Sequence, residues 1–402
     1  MKRLILILLV FCIQSGHSQV LFQNLPLKDS IRHQIKSVTV FESNSNKLPN
    51  SMLATLLWGG YMDQQYLTNV RDKLKNSGNR FGFQVHSQLN YQWKSKAHEW
   101  VAGVKYREMF GLKFSKDLFG LGFLGNGQYE GQEADISNTK LGYWNYTCIS
   151  LGMIEPLDSN SNLFVGVSFL YGLNQQSLTT KKTSIYTASD GEYIGTSGDL
   201  NVGYKEPGYG LGFAVNSSYS FKEGKNSLLF SIEDLGIMQF QKYTTYRGQS
   251  ENKYYGFDAT NVKNFSADSM FSDFSSKGFA KKFNVTEDQK STTVLMPFIV
   301  LGTYNRSITK TVDVSAEVYY TYMPAYIPKI SARVHKLLDS TFQVSAGLSY
   351  GGFGNQNFLL GLKKDFRKNW SFQLESYFLG IAIAPKNTTG GLGVSVGLSK
   401  GF

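Results

Sequence analysis

Two-residue alternation sustained over long segments restricts this chain more than any other feature. From Arg80 to Lys94, Phe81, Phe83, Val85, Leu89, Tyr91 and Trp93 alternate with Gly82, Gln84, His86, Gln88, Asn90 and Gln92. Side chains on a β-strand point to opposite faces with period two, so this stretch has one apolar and one polar face. A length of roughly nine to fifteen residues matches a tilted membrane crossing, whereas strands of soluble sheets run to about five or six. The aromatic residues gather near both ends of the segment, where a membrane strand would meet the two interfaces. In a soluble sandwich the polar face would meet solvent; in a membrane barrel it lines the interior.

The same parity returns along the chain. Trp100, Ala102, Val104 and Tyr106 oppose Gly103, Lys105 and Arg107, and Leu163 to Tyr171 repeats the pattern. It recurs in Tyr209–Phe221, Val312–Tyr322, Phe342–Tyr350 and Trp370–Phe378. Weaker segments at 118–129, 140–154, 176–188, 193–205, 226–241, 243–257, 292–306, 328–336 and 356–366 fill the gaps. Of these, 118–129 and 243–257 alternate least clearly. Because single-chain bacterial barrels use an even strand number, the reading settles on about 14 strands, with about 16 as the neighbouring count. The expected fold is all-β: a single transmembrane antiparallel β-barrel. Parity puts Val215 toward lipid and Asn216 toward the interior. Arginine is therefore expected to cost about 2–4 kcal/mol at the former and much less at the latter.

The two ends of the chain agree with export. Met1-Lys-Arg is basic, Leu4 to Ile13 is almost wholly apolar, and Gln14-Ser-Gly-His-Ser18 is small and polar. That three-part order is a secretory leader, residues 1–18, with cleavage between Ser18 and Gln19. Phe11 before Cys12 is too large for a lipoprotein cleavage site. Cys148 is then the only cysteine of the mature chain, so no internal disulfide forms. No other apolar run approaches the roughly twenty residues of a membrane helix. The balance of 41 basic against 30 acidic residues is the kind that binds nucleic acid, but export argues against that partner; basic loops and rims beside anionic lipid explain it. At the carboxyl end, Leu392, Val394, Val396, Leu398 and Phe402 share one face, while Gly391, Gly393, Ser395, Gly397, Ser399 and Gly401 share the other.

Residues 19–78 are expected to form an N-terminal plug or periplasmic segment, and 79–402 the barrel. Asp63 to about Lys75 reads as a helix capped by Asp63, with Tyr66, Val70 and Leu74 on one stripe. That stripe needs cover, in the lumen or on the periplasmic face. Counting back from a periplasmic Phe402 makes Ala384–Gly390 and Tyr322–Lys329 outer loops, and Phe366–Asn369 and Ser307–Thr311 inner turns. Segment 258–291 is then a long extracellular loop. Its Phe265, Phe271, Phe274, Phe279 and Phe283 either form a binding surface or pack on one another.

Catalytic and metal signatures are missing. His33, His86, His98 and His335 are scattered, without cysteine or carboxylate at ligand spacing, and no phosphate-binding glycine loop occurs. No enzyme and no cofactor are expected. Inward candidates are Gln84, His86, Gln88, Lys105, Arg107, Asp313, Glu317 and Glu375. Lys105 and Arg107 face the acids Asp313, Glu317 and Glu375 either as a cross-lumen ion-pair network holding plug to wall or as a filter for a charged solute.

Several short motifs carry a family likeness: Leu56-Leu-Trp-Gly-Gly-Tyr-Met-Asp63, Asn79-Arg-Phe-Gly82, Lys181-Lys-Thr-Ser-Ile-Tyr186, Ile232-Glu-Asp-Leu-Gly236 and the glycine-rich ending. With them the chain resembles an uncharacterised outer-membrane barrel family of Bacteroidota, similar in plan to the FadL-like fatty-acid transporters. That resemblance implies fourteen strands, an N-terminal hatch, and a channel or transporter for a small solute, hydrophobic ones included. The alternative is a structural subunit of an outer-membrane assembly or type IX secretion complex. Expected partners are outer-membrane lipid, the insertion machinery and, for the second reading, other proteins of a complex.

The last strand also resembles the closing strand of bacterial outer-membrane barrels, which serves as their assembly signal. Deleting Phe402 is expected to lower the yield of protein in the outer-membrane fraction; a yield equal to the parent's removes that role.

Overall fold

The computed structural model describes residues 24–96, 98–205, 209–248, 251–254, 286–377 and 389–402. The leader with Ser18 and Gln19, and the loop phenylalanines Phe265, Phe271, Phe274, Phe279 and Phe283, lie outside the described residues.

A closed antiparallel barrel of 14 strands is formed. Its strands are β1 His33–Pro49, β2 Asn79–Lys94, β3 Glu99–Phe114, β4 Lys140–Pro156, β5 Ser161–Thr180, β6 Gly210–Glu223, β7 Asn226–Gly248, β8 Ile299–Ser307, β9 Val312–Thr321, β10 Ile327–Asp339, β11 Phe342–Gly352, β12 Gln356–Phe366, β13 Trp370–Ser376 and β14 Thr389–Gly401. Each pairs with its neighbours in the chain. The ring closes where β14 lies against β1, with Gln34 opposite Gly401 and Ser43 opposite Leu392. Beyond that ladder, Phe402 donates its N–H to the His33 carbonyl at 2.8 Å, and its own carbonyl accepts from Arg32 at 3.0 Å. The end carrying His33 and Phe402 is called the terminal end here, and the opposite one the far end. Leu200–Lys205 and Thr286–Leu295 lengthen the wall at the far end by pairing with β5 and β7. A separate four-stranded sheet is built from Gln132–Asp135, Ser184–Thr187, Ile194–Ser197 and Asn252–Tyr254.

Burial is inverted relative to a soluble domain. Ile149, Val167, Phe213, Val215, Val334 and Leu348 are exposed, while Gln84, His86, Gln88, Asn90 and Gln92 are buried. Water would penalise such a surface, whereas lipid favours it, and the polar row can pair only inside. Outward aromatic residues form two bands. Phe83 stacks on Phe110, Tyr171 on Tyr209 and Phe298 on Tyr322 toward the far end. Tyr91, Trp93 and Trp100 stack in series toward the terminal end. Along β14, Val394, Val396, Leu398 and Phe402 are exposed outward and Leu392 is half-buried.

Three expectations are corrected. The wall begins at His33, not at 79, and His33–Pro49 is a full crossing. It escaped detection because β1 reverses the usual polarity: Ser37 and Thr39 are exposed, whereas Val38 and Val40 are buried. Segment 118–129 is not a strand. Lys116–Leu124 is a helix, capped by Ser115 accepting the Leu118 N–H at 3.0 Å. Segment 243–257 is not a separate crossing either, because residues up to Gly248 continue β7.

The capped helix is found, but elsewhere than expected. Label the helices α1 Asn50–Trp58, α2 Gln64–Asp72 and α3 Lys116–Leu124. Asp63 caps α2 by accepting the Tyr66 N–H at 2.7 Å. Leu67, Val70 and Leu74 pack with Leu48, Met52, Leu53, Phe114 and Phe119. Phe81 and Leu112, which share the outward parity of their strands, close this cluster. The helices therefore clasp the outer side of the wall at the far end and do not enter the lumen as a hatch. What plugs the terminal end is shorter. Asn24 accepts from Asn90 at 2.9 Å, the Leu25 carbonyl accepts from Gln92 at 2.8 Å, and the Leu27 N–H reaches Glu99 at 2.8 Å.

Val215→Arg is expected to lower unfolding stability in lipid vesicles by about 2–4 kcal/mol, and Val215→Leu by less than about 0.5 kcal/mol. Denaturant titration followed by tryptophan fluorescence measures both, and equal effects contradict the outward placement.

Candidate functional site

The interior of the barrel is filled by charge. On β3 the inward row runs Gly103, Lys105, Arg107, Met109, Gly111, so two cations are stacked along one strand. Facing them, β7 carries adjacent acids. Opposite Asn216 the ladder slips: Val215 pairs with Leu235 and Ser217 with Ile232, leaving Glu233 and Asp234 against one residue. Asp234 takes the left-handed conformation, φ 58°. This is a β-bulge, and its extra residue turns both neighbouring carboxylates to the same side.

The contacts cross the lumen, since β3 and β7 are separated by three strands. Lys105 Nζ lies 3.1 Å from Asp234 Oδ1 and 3.5 Å from Glu233 Oε2. Arg107 Nε lies 3.0 Å from Asp234 Oδ2, and Nη2 lies 2.9 Å from Glu233 Oε2. Asn216 Oδ1 accepts from Lys105 at 3.1 Å and from the Asp234 N–H at 3.0 Å, and its amide donates to Ser168 at 2.8 Å. Guanidinium has no acceptor, so Arg107 donates to His86 Nδ1 at 2.9 Å and His86 donates from Nε2 to Gln84 at 2.8 Å. Tyr319 on β9 donates to the same Gln84 oxygen at 3.3 Å.

A second tier lies beside the first. Lys329 on β10 reaches across to Glu42 on β1 at 2.8 and 3.0 Å. Arg333 reaches Glu375 on β13 at 2.8 Å, Ser331 donates to Glu317 at 3.3 Å, and Ser315 and His335 lie 2.8 Å apart. Toward the far end, Met109, Tyr146, Leu170, Met238, Phe240 and Phe353 fill the bore. Phe353 lies directly over Gly82, where any side chain would collide with its ring, and at Gly111 a side chain would collide with the Pro324 carbonyl. The contact with Phe353 explains the glycine of the Asn79-Arg-Phe-Gly82 motif. Two cavities flank the ion pairs. One, of about 20 Å³, is bordered by Asn24, Asn90, Lys105 and Asn216; the other, of about 30 Å³, by Glu42, His86, Arg107 and Tyr377. Each has room for a water molecule or two, not for an organic solute.

Of the residues expected inside, Gln84, His86, Gln88, Lys105, Arg107, Glu317 and Glu375 are buried there. Asp313 has the same parity but is only half-buried near the terminal end, apart from the network. Lys105 and Arg107 do not pair with Asp313, Glu317 or Glu375, as the sequence suggested, but with Glu233 and Asp234. The pairs also join wall to wall rather than plug to wall. Parity analysis overlooked Glu233 and Asp234 because two adjacent acids break alternation; that break was itself the signal of a bulge. Lys329 and Arg333 were legible, alternating with Ile330, Ala332 and Val334. Asn216 is a hub of the network, so arginine there would crowd a third cation against Lys105 and Arg107. The mild cost expected from parity alone is corrected accordingly.

The chain matches the profile of a family of unknown function, DUF5723, over residues 35–370. No curated protein matches it. Among solved structures, a deletion mutant of the monoaromatic hydrocarbon channel TodX aligns with 98% of this chain and 98% of its own, at TM-score 0.51 and 11% identity. The Ralstonia pickettii toluene transporter TbuX aligns over 96% and 94% of the two chains, at TM-score 0.47 and 9% identity. A Pseudomonas aeruginosa FadL homologue aligns over the same shares, at TM-score 0.44 and 9% identity. At such identities the likeness is one of fold alone, a closed β-barrel.

Removing one partner of a buried ion pair leaves an uncompensated charge, which typically costs about 3–5 kcal/mol. Asp234→Asn is expected to lose that much unfolding stability, because both Lys105 and Arg107 stay charged. Combining it with Lys105→Met should recover part of the loss, and strictly additive losses in the double variant contradict the pairing.

Proposed function

The chain belongs to DUF5723, a family of unknown function, and from that footing we propose that it is a gated outer-membrane channel for a small hydrophobic solute. The observation that carries this reading is the end-to-end correspondence of its barrel with a monoaromatic hydrocarbon channel, over 98% of both chains. The interior chemistry agrees with a closed resting state. Ion pairs at 2.8–3.1 Å cross the bore, and the space beside them is water-sized. A general aqueous pore for ions or sugars needs an open polar lumen, and nothing described provides one. A hydrophobic solute needs no continuous water column, and loses little when it passes from lipid to a protein cleft. The protein is read as non-enzymatic. It is exported by the leader at 1–18 and inserted by the outer-membrane machinery of a Gram-negative bacterium, Bacteroidota by its resemblance.

One observation favours a second reading. A bore laced by charge pairs also suits a barrel that transports nothing and serves as a structural subunit of an outer-membrane assembly or secretion complex. The two part in one experiment. Vesicles carrying the purified barrel are mixed with radiolabelled toluene, with glucose as the polar control. Faster uptake of toluene, and not of glucose, than by empty vesicles is the expected result. Rates equal to empty vesicles overturn the channel, and a stoichiometric protein co-purifying in mild detergent then supports the assembly subunit.

A further inference from the structure

The helical cap holds large apolar side chains that no packing explains. Trp58 is 70% exposed and Tyr61 90%, and Leu56 and Phe123 are exposed as well. A monomeric protein in water does not keep such a patch without an interaction for it. Its position decides what that interaction is. The inner face of the cap rests on Phe81 and Leu112, which lie on the lipid-facing side of β2 and β3. Phe81 in turn packs on Phe110 at 5.7 Å, and Phe110 stacks on Phe83 at 5.6 Å in the far aromatic band. Phe119 and Phe123 of α3 continue the series at 4.7 Å. Apolar contacts therefore run from the membrane wall onto α2 and α3, and α1 begins directly after the last residue of β1.

Charge is placed to match. A cleft of about 670 Å³ opens between the end of β1 and α2, with Lys47, Tyr66, Asn69 and Lys73 on its lining and Asp72 as its only acid. Neither Lys47 nor Lys73 forms an ion pair among the described residues. Tyr66 at its edge ties α2 to α1 through Ser51 at 2.7 Å. Tryptophan and tyrosine favour the lipid–water boundary, and lysines beside it favour phosphate.

We propose that the cap is an interfacial anchor that binds the phosphate of an anionic lipid at the far rim. Leu56, Trp58, Tyr61 and Phe123 enter the boundary of the hydrocarbon, and Lys47 and Lys73 take the phosphate headgroup. The occupant is the surrounding lipid, because the helices that carry the patch are packed on a wall surface already in lipid. A second copy of the chain or a partner protein would need a face set apart from it.

The test uses the full chain in vesicles of phosphatidylcholine with and without phosphatidylglycerol. A nitroxide is placed by Trp58→Cys, and separately by Tyr61→Cys, with Cys148, the one cysteine of the mature chain, replaced by Ser. Labels at Val215→Cys and Ser159→Cys supply the lipid and water references. At 58 and 61 the label is expected to collide more with oxygen than with a water-soluble nickel complex, as at 215. Two positions guard against one variant failing to fold. Nickel access like that at 159, or spin–spin broadening between copies, overturns the anchor. Native mass spectrometry is expected to show phosphatidylglycerol retained over phosphatidylcholine, and about tenfold less of it on Lys47→Glu/Lys73→Glu. Equal retention of the two lipids, or no loss in that variant, overturns the headgroup site.

Discussion

Lipid offers no hydrogen-bond partner to a peptide group, and everything else in this barrel depends on that constraint. Each unsatisfied N–H or carbonyl in hydrocarbon costs several kcal/mol, so a strand in lipid needs a neighbour on both sides and the sheet has to close. The contact that meets the requirement is the β14–β1 ladder, extended by the bonds of Phe402 to His33 and Arg32. It joins the two ends of the chain, so no edge remains to be covered. The terminal aromatic residue is thus part of the closure and of the aromatic surface together.

Closure creates the second problem, an interior. A ring of this size encloses more space than small side chains fill, and the chain fills it with long ones. Lys105, Arg107, Lys329 and Arg333 span the bore to Glu233, Asp234, Glu42 and Glu375. The desolvation of such pairs largely cancels their attraction, so they add little net stability. What they add is a specific closed arrangement, because a buried charge parted from its partner is costly. The bulge at Asp234 is where wall and interior meet. It breaks the regular ladder and thereby brings two acids to two cations.

Much of this was legible in the residues. Alternation located most crossings, their lipid and lumen faces, and the row Gln84, His86, Gln88. The cap of α2 was legible too, because Asp63 stands three residues before the Tyr66 N–H it binds. What was missed has physical reasons. β1 carries small hydroxyl residues on its outer face, where parity looks for apolar ones. Lys116–Leu124 has a strand-like run of apolar residues, yet Ser115 supplies a helix cap. The helical stripe demanded cover, but sequence does not say which surface provides it, and Phe81, Phe114 and Phe119 provided it outside the lumen.

The sequence by itself therefore determined the class of the fold, since a period of two held over membrane-spanning length admits few structures besides a lipid-facing barrel. It also determined which way most side chains point, because facing follows from parity alone. Only the tertiary structure decided which charges meet. Lys105 and Asp234 are far apart in the chain and brought together by the curvature of the ring and one inserted residue. Neither the closure of the ring nor the register slip at a bulge is written in local periodicity; both follow from how fourteen strands satisfy one another at once.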